Sequence, residues 1–361
     1  MSSVSVVIPC YRYGHYLEPA VASVLDAQPG VDVKVLIIDD ASPDGSGEIA
    51  TAIATADPRV EAVVHPTNRG HIATYNEGLL DWADSTYSVL MSADDLLTPG
   101  SLRRAVDLLD AHPGVGFAYG YAVRFRDGEP LPLPRTEPRG WSVWSGSDWL
   151  DRRFRLARSG ISSPEVVVRT EVQQQVGGYD ARLPHLADTQ MWMRLASRAD
   201  VGYVRGVDQA WYRQHADNMS LGYDEVAELR QGRVAFDSII QTLADEGVDV
   251  SRMARLVHRK LAWEALFAAT RAYDEGRAGD APVDGLVAFA RECWPHADRM
   301  PIAHTLRLRR LVGPRAMAAL APVVPPARGV RFLVESRDRY DTTWEAVEAL
   351  ARPGRQSVRF A

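Results

Sequence analysis

Short apolar runs alternate with helix-forming segments through the first 120 residues, and this alternation is the strongest constraint on the fold. Between the apolar runs, apolar side chains recur at helical spacing, as in residues 17–25. A strand–helix–strand rhythm of this kind predicts a mostly parallel, doubly wound α/β sheet. The apolar runs are residues 4–8, 33–38, 60–64, 87–91 and 116–120.

Two of the predicted strands end in adjacent carboxylates. Asp39 and Asp40 follow the second apolar run, and Asp94 and Asp95 follow the fourth. Neighbouring carboxylates repel each other, and burial strengthens the repulsion, so such a pair is tolerable where a divalent cation binds. Because the carboxyl ends of parallel strands meet at one edge, where open α/β sheets bind ligands, we expect a single site there.

The distribution of charge restricts the partners. A net charge of −6 over 361 residues argues against nucleic acid as the main partner. Residues 299–361 are basic, with 12 Arg against 5 acidic residues. This basic C-terminal region is interpreted as a solvated helical face, with peripheral contact to an anionic membrane left open. No apolar run reaches the ~20 residues of a transmembrane helix, so no transmembrane segment is predicted.

The cysteine count and the start of the chain indicate a reducing compartment. Cys10 and Cys293 lie far apart in the sequence, so neither a disulfide framework nor a zinc motif is predicted. The first residues lack the basic segment of a secretory signal. We therefore expect a cytoplasmic protein, with a location at the inner face of the membrane left open.

A change of pattern near residue 223 predicts a domain boundary. The preceding α/β part contains one irregular segment, residues 124–160, where clustered Pro and Trp residues predict a long loop or hairpin. After residue 223, three amphipathic helices are predicted. We expect an α/β domain at residues 1–222 and a helical C-terminal domain at residues 223–361, which would bind the acceptor or form a homodimer.

A series of short motifs, in this order along the chain, resembles the family 2 inverting glycosyltransferases. The resemblance covers about residues 4–222 and implies a GT-A fold, which is a Rossmann-like sheet, and a nucleotide-diphospho-sugar donor, by default a UDP-sugar. The motifs are VSVVIPCY at 4–11, IIDDASPD at 37–44, NRG at 68–70 with NEG at 76–78, SADD at 92–95, GGYD at 177–180 with LPHLAD at 183–188, and YRQH at 212–215 with NMS at 218–220.

The resemblance implies that the first two motifs bind the nucleoside. Pro9 and Tyr11 would cradle it, with the Tyr11 ring stacked on the base; the alternative is a ring that only covers the sheet edge. Asp39 and Asp40 would accept hydrogen bonds from the base or the ribose, and the resemblance favours Asp40 for the base.

The third motif follows the third predicted strand. Gly70 permits close approach of the backbone to a ligand. Asn68 and Arg69 would join it in contacting the donor, with Arg69 on a phosphate; the alternative for Arg69 is an ordinary solvated side chain.

The acidic motif and the closing motif imply a metal site. Asp95 would coordinate Mn²⁺ or Mg²⁺ bridging the diphosphate, and Asp94 would contact the ribose or the donor sugar. Ser92 stands where many members of the family have another acid. His215 resembles a histidine that ligates the metal or the diphosphate in some members, although a lone histidine is more often structural.

Asp188 is the predicted general base. Inverting transfer needs a carboxylate beside the acceptor hydroxyl, on the face opposite the leaving group. Many members have Glu-Asp at this motif, whereas this chain has Ala187-Asp188. Asp180 is the competing carboxylate, and its Gly-Gly-Tyr-Asp turn predicts a structural role.

Together these features predict a metal-dependent inverting glycosyltransferase that moves one sugar to an acceptor hydroxyl. Two alternatives remain open. A nucleotidyltransferase would carry a Gly-rich, basic loop after the first strand, and residues 9–14 lack that composition. A degenerate relative that only binds nucleotide or glycan is kept open by Ser92 and Ala187.

Overall fold

The structure is a computed structural model that describes residues 2–157, 160–218 and 224–320. The predicted boundary at 222/223, Met219 and Ser220 of the closing motif, and residues 321–361 of the basic region lie outside this part. Its strands are β1 (Ser3–Cys10), β2 (Asp32–Asp39), β3 (Val60–Val64), β4 (Tyr87–Leu90), β5 (Leu96–Leu97), β6 (Val115–Tyr119), β7 (Ala122–Arg126), β8 (Trp141–Trp144), β9 (Val167–Arg169), β10 (Asp200–Val204) and β11 (Ala210–Gln214).

Twelve α-helices lie in the described part of the chain. They are α1 (Gly14–Leu25), α2 (Ser46–Ala56), α3 (His71–Asn76), α4 (Ser101–Ala111), α5 (Gly146–Leu156), α6 (Thr170–Val176), α7 (Ala187–Ala196), α8 (Glu225–Asp245), α9 (Ser251–Asp274), α10 (Val283–Cys293), α11 (Pro301–Val312) and α12 (Pro314–Leu320).

The main sheet has eight strands in the order β3-β2-β1-β4-β9-β6-β10-β8. β1 pairs in parallel with β2 and β4, β2 with β3, and β6 with β10. Only β8 and β9 run antiparallel to their neighbours in this sheet. The prediction of a mostly parallel α/β sheet is confirmed, and β1, β2 and β4 end side by side at the edge that carries the acidic pairs.

A second, three-stranded sheet was not anticipated from the sequence. Its order is β5-β11-β7, with β11 antiparallel to β5 and parallel to β7. β5 begins directly after Asp95, and β11 ends directly before His215. This sheet therefore brings the acidic motif and the closing motif together, although they are 120 positions apart in sequence.

Pro9 does not end the first strand, contrary to the sequence-based expectation. β1 continues to Cys10, and Pro9 lies in register with Ile38 of β2. The last pair between β1 and β4 is Val7 with Leu90. Pro9 lies beyond this pair, so β4 has no backbone carbonyl that a backbone N–H at position 9 would have to reach. A proline is tolerated there because it removes no ladder hydrogen bond.

The described part of the irregular segment at 124–160 is more ordered than the long, partly ordered loop or hairpin that was predicted. It contains the end of β7, all of β8 and the helix α5. Ser145 caps α5 by accepting a hydrogen bond from the Asp148 amide, and the helix buries Trp149 and Phe154. The last proline of the segment is Pro138, and α5 begins eight residues later. The prediction treated the whole segment by its proline and tryptophan content and so missed this capped amphipathic helix.

The predicted helix at 72–82 forms as α3 followed by a π-helical turn, Glu77–Trp82. Gly78 lies in this turn, and a Cβ at that position would overlap the Val7 side chain of β1. Glycine therefore serves close packing of this segment on the sheet.

Contacts divide the described chain into two compact units. The first comprises the described residues up to 218 together with 231–254, and the second comprises 224–230 and 255–320. The second unit is helical, and the buried Arg309 of α11 pairs with Asp274 of α9 at 2.6 Å. Its role in acceptor binding or dimerisation stays a prediction. None of the helices described is long and apolar enough to cross a membrane.

Gly146 offers a test of the packing of α5. A Cβ at this position would overlap the backbone carbonyl oxygens of Ala196 and Ala199, which cannot move aside as a flexible side chain can. We expect Gly146→Ala to lower the free energy of unfolding by about 1–3 kcal/mol. Gly279→Ala is the matched control, because nothing lies within 4 Å of its added Cβ. Equal denaturation midpoints for the two variants would contradict this packing argument.

Candidate active site

The loops that follow β1 and β2 are bound to each other. The Arg12 amide donates to Ser42 Oγ at 2.8 Å. Arg12 and Ala41 both adopt left-handed backbone conformations, with φ of 64° and 59°, which are uncommon for residues other than glycine. Tyr11 lies at this edge with 45% of its surface exposed, so its ring is open to a ligand.

Asp39 has one carboxylate oxygen without a donor among the described residues. Oδ2 accepts a hydrogen bond from the Ser42 amide at 3.0 Å, whereas Oδ1 is buried and receives none. Asp39 also lines a cavity of about 670 Å³ with Gly47, Val64 and His65. Because buried polar atoms are normally satisfied, Oδ1 is a candidate acceptor for an N–H of a ligand.

Asp40, in contrast, is occupied by the protein. Its Oδ1 accepts from His65 Nδ1 and the Arg69 amide, both at 2.8 Å, and its Oδ2 accepts from the Gly70 amide at 2.8 Å. Burial by itself would raise the pKa of Asp40, but these hydrogen bonds outweigh it and lower the pKa. The structure thus gives Asp40 a use different from the expected contact with the base.

The turn Asn68–Gly70 is held by Asp40. Asn68 Nδ2 donates to the Asp40 carbonyl at 3.1 Å, and Gly70 adopts a φ of 84° that favours glycine. The half-exposed Arg69 guanidinium pairs with Glu77, so in this conformation it is held by a carboxylate of the protein. The sequence analysis gave no role to His65, which lies three positions before the NRG motif, or to Glu77, which lies inside the NEG motif that it quoted.

The two carboxylates of the acidic motif point to different partners. Asp95 is almost fully buried, and its Oδ1 accepts from the Arg213 amide of β11 at 2.9 Å. Burial, together with the neighbouring Asp94 charge, raises the pKa of Asp95. Asp94 Oδ2 instead lies 2.9 Å from His215 Nε2, and Asn218 Nδ2 donates to it at 3.4 Å.

The His215 ring is fixed on both sides. Its Nδ1 accepts from the Asp217 amide at 3.2 Å, and the Tyr13 ring packs edge-on against it at a centroid distance of 5.3 Å. The Tyr13 hydroxyl in turn donates to the Asp217 carbonyl at 2.9 Å. In the structure His215 faces Asp94, because Asp95 turns towards β11.

The Asp94–His215 pair has a geometry that a divalent cation can use. Adjacent ligands of an octahedral cation with bonds of about 2.1 Å are about 3 Å apart, close to the observed separation. No group of three or more His, Cys, Asp or Glu side chains in the described residues could hold a metal on its own. The pair fits a cation that takes its remaining ligands from a bound diphosphate and from water.

Asp188 lies in the first turn of α7 and is held by Ser163. Ser163 Oγ donates to Asp188 Oδ2 at 2.5 Å. Burial raises the pKa of Asp188, although the Ser163 hydrogen bond and the nearby His71 partly offset the shift. Ser163 begins a short 3-10 turn, Ser163–Glu165, that packs against β4, β5 and β11. Through Ser163, Asp188 is linked to this turn and so to the strands that flank the acidic motif.

The competing carboxylate, Asp180, is engaged by its own turn. It accepts hydrogen bonds from the Arg182 amide at 2.9 Å and from the Arg182 guanidinium, with Nη2 at 2.6 Å. These contacts match the expected structural role. The sequence analysis also missed Ser163 and Tyr13, and no motif marked either as a partner of the site.

Comparison with known proteins identifies the family of the chain. The family model "Glycosyl transferase family 2" matches residues 5–164. The chain is 40% identical over 210 residues to the polyprenol monophosphomannose synthase of Mycolicibacterium smegmatis, which covers 57% of this chain and 70% of that protein. It is 32% identical over 121 residues to the glycosyltransferase GlyG of Streptococcus pneumoniae, which covers 33% of this chain and 40% of GlyG.

Solved structures support the fold. Residues 1–349 of TarS from S. aureus, in complex with UDP-GlcNAc, superpose with a TM-score of 0.60 at 15% identity, covering 89% of this chain and 90% of that one. At this identity the likeness speaks for the architecture alone. The family model, the relative from M. smegmatis and the sheet agree with the motifs, and the chain belongs to glycosyltransferase family 2, as a glycosyltransferase with the GT-A fold.

Proposed function

We propose that this enzyme is a metal-dependent, inverting glycosyltransferase that moves one sugar from a nucleotide-diphospho-sugar to an acceptor hydroxyl. The observation that carries the proposal is a pair of features linked by the Ser163–Glu165 turn, which packs against β4, β5 and β11. One is the Asp94–His215 pair, at 2.9 Å. The other is Asp188, whose pKa is raised by burial and whose carboxyl is held by Ser163.

The nucleoside is assigned to the ends of β1 and β2. The exposed Tyr11 ring would stack on the base, with Pro9 supporting the loop, and the Asp39 Oδ1 atom would accept an N–H of the base. Asp39 replaces Asp40 in this role because the Asp40 carboxylate is occupied by the protein. Uracil remains the default base, and UDP-GlcNAc is the ligand in the TarS complex.

Mn²⁺ or Mg²⁺ is assigned to Asp94 and His215. The ion would neutralise charge that develops on the leaving nucleoside diphosphate. Asp95 would support this site from the protein side, through its hydrogen bond from the Arg213 amide. The Asn68–Gly70 turn, held by Asp40, would face the donor from the neighbouring loop, with the Arg69 side chain paired with Glu77.

Asp188 is assigned as the general base. Its carboxylate would take the proton of the acceptor hydroxyl while that oxygen attacks the anomeric carbon from the face opposite the diphosphate. One displacement of this kind inverts the configuration at that carbon. The raised pKa makes the Asp188 carboxylate a stronger base than an exposed aspartate. Because the M. smegmatis relative is named a polyprenol monophosphomannose synthase, we propose to test polyprenyl phosphate as an acceptor alongside compounds that carry a hydroxyl.

A panel of nucleotides tests the donor class. Thermal unfolding is measured with UDP, GDP, dTDP and CDP, each with and without Mn²⁺. One nucleotide at 100 times its dissociation constant should add about 2.7 kcal/mol of stability, a shift of a few degrees, and only with the metal present.

Three other results, from the panel and from two activity assays, would change the proposal. No shift for any nucleotide would overturn the proposal in favour of a scaffold without donor binding. Binding without slow hydrolysis of the matching nucleotide-sugar would favour the degenerate relative. Release of pyrophosphate from a nucleoside triphosphate and a sugar phosphate would favour a nucleotidyltransferase.

A further inference from the structure

His65 lies between two carboxylates in the interior of the first unit. It directly follows β3, and only 4% of its side chain is exposed. Its Nδ1 lies 2.8 Å from Asp40 Oδ1, and its Nε2 lies 3.1 Å from Glu77 Oε2. Ionised carboxylates only accept hydrogen bonds, so both ring nitrogens must donate for both bonds to exist. With both carboxylates ionised, the two contacts are satisfied together only in the doubly protonated, cationic imidazolium.

This imidazolium joins two supports of the same turn. Asp40 accepts the backbone amides of Arg69 and Gly70, at 2.8 Å each. Glu77 accepts from the Arg69 guanidinium. Asp40, one partner of His65, therefore binds the backbone of the turn, and Glu77, the other partner, binds the Arg69 side chain.

The four charged groups of this network balance. His65 and Arg69 are cationic, and Asp40 and Glu77 are anionic, so their formal sum is zero. Loss of the His65 charge alone would leave one excess negative charge beside the turn. A nucleoside diphosphate bound there would meet both a loosened turn and added repulsion.

We propose that His65 is a positioning residue for the donor. In its cationic form it fixes the Asn68–Gly70 turn and keeps the network beside the donor phosphates neutral. The role rests on the proposed function, because it assigns this turn to the nucleotide-sugar. His65 touches none of the reacting atoms, so its loss weakens donor binding and leaves the chemical step largely intact.

Charge compensation provides the test. The probe is UDP or GDP, whichever wild-type protein binds more tightly with Mn²⁺, titrated calorimetrically into purified full-length variants. His65→Gln should raise the dissociation constant tenfold or more, since a hydrogen bond to a charged group is worth about 10- to 100-fold. The kcat at saturating donor should stay within about threefold. Adding Glu77→Gln to His65→Gln should recover part of the lost affinity, because it restores the neutral sum.

A merely structural role predicts the opposite sign. If His65 only filled space, the double variant would bind no better than His65→Gln, and that result would overturn the proposal, as would a dissociation constant for His65→Gln within twofold of wild type. His112→Gln is the matched control, because His112 packs edge-on against Trp141 away from this network. Failure of the wild type to bind either nucleotide would overturn the proposed function itself, which separates the two failures.

A second measurement needs no His65 variant. In wild-type protein labelled with ¹⁵N-histidine, His65 should show protons on both ring nitrogens, with slow exchange because the ring is buried. Glu77→Gln should shift its Nε2 signal and thereby assign it. A neutral His65 ring in this spectrum would overturn the proposal even if His65→Gln does not fold.

Discussion

Asp188→Asn is expected to reduce sugar transfer by about 100- to 10,000-fold, the usual contribution of a positioned general base. Asparagine keeps the shape of the side chain and can still accept the Ser163 hydrogen bond, but it cannot take a proton. Nucleotide binding should change less than twofold, because Asp188 acts on the acceptor. The measurement pairs initial rates of transfer with titration of the nucleoside diphosphate.

Asp180→Asn is the matched control for that experiment. Asp180 is the other carboxylate of the same segment, and Arg182 holds it in a turn. Transfer by this variant should stay within a few-fold of wild type. Comparable losses in both variants, or weakened nucleotide binding with unchanged turnover in Asp188→Asn, would remove Asp188 from the role of base.

The same assignment fixes the sign of the pH dependence. Burial raises the pKa of Asp188, and a base works in its ionised form, so kcat should increase with pH through this raised pKa and fall below it. The Ser163 hydrogen bond lowers the pKa, so Ser163→Ala should move the acidic limb to higher pH. A limb that moves to lower pH, or does not move, would contradict the assignment.

The sequence located the candidate site, but it did not show which carboxylate of each acidic pair is bound by the protein and which can bind a ligand. Apolar runs that end in Asp39-Asp40 and Asp94-Asp95 were enough to place both pairs at the carboxyl edge of a parallel sheet. Adjacent residues at a strand end turn to different sides, and their partners come from elsewhere in the chain. Which carboxylate stays available therefore depends on contacts that no local pattern contains.

The partners that decide this are distant in sequence. Asp40 is occupied through His65 and the turn that follows β3, whereas Asp39 keeps one oxygen without a protein donor. Asp95 is occupied through the amide of Arg213, which belongs to a strand 118 positions later. The two-residue strand β5 that organises this contact is too short to show any periodicity. The α/β alternation was readable because each of its elements is local.

The Asp94-Asp95 pair gives the second large prediction. The motif resemblance places the metal on Asp95, whereas the contact with His215 favours Asp94. Asp94→Asn should abolish stimulation by Mn²⁺ and weaken metal-dependent nucleotide binding by about 100-fold or more, because even loss of an outer partner of a metal site costs about 10- to 100-fold. With the metal chelated, the variant and the wild type should bind nucleotide equally. Calorimetric titrations with and without Mn²⁺ measure both effects.

Asp95→Asn is the matched comparison, because it tests whether the metal binds Asp95 instead of Asp94. Asp95 is buried, and an asparagine there can still accept the hydrogen bond of the Arg213 amide through its carbonyl oxygen. Burial already raises the pKa of Asp95, so the substitution removes a carboxyl whose ionised form is disfavoured. Stimulation by Mn²⁺ should therefore survive in Asp95→Asn. It should be lost in each of the two single variants Asp94→Asn and His215→Gln. The reverse pattern, with Asp95→Asn insensitive to Mn²⁺ and Asp94→Asn responsive, would return the metal to Asp95. Because the two carboxylates are neighbours in sequence and differ only in what they face, this comparison tests the side-chain geometry directly.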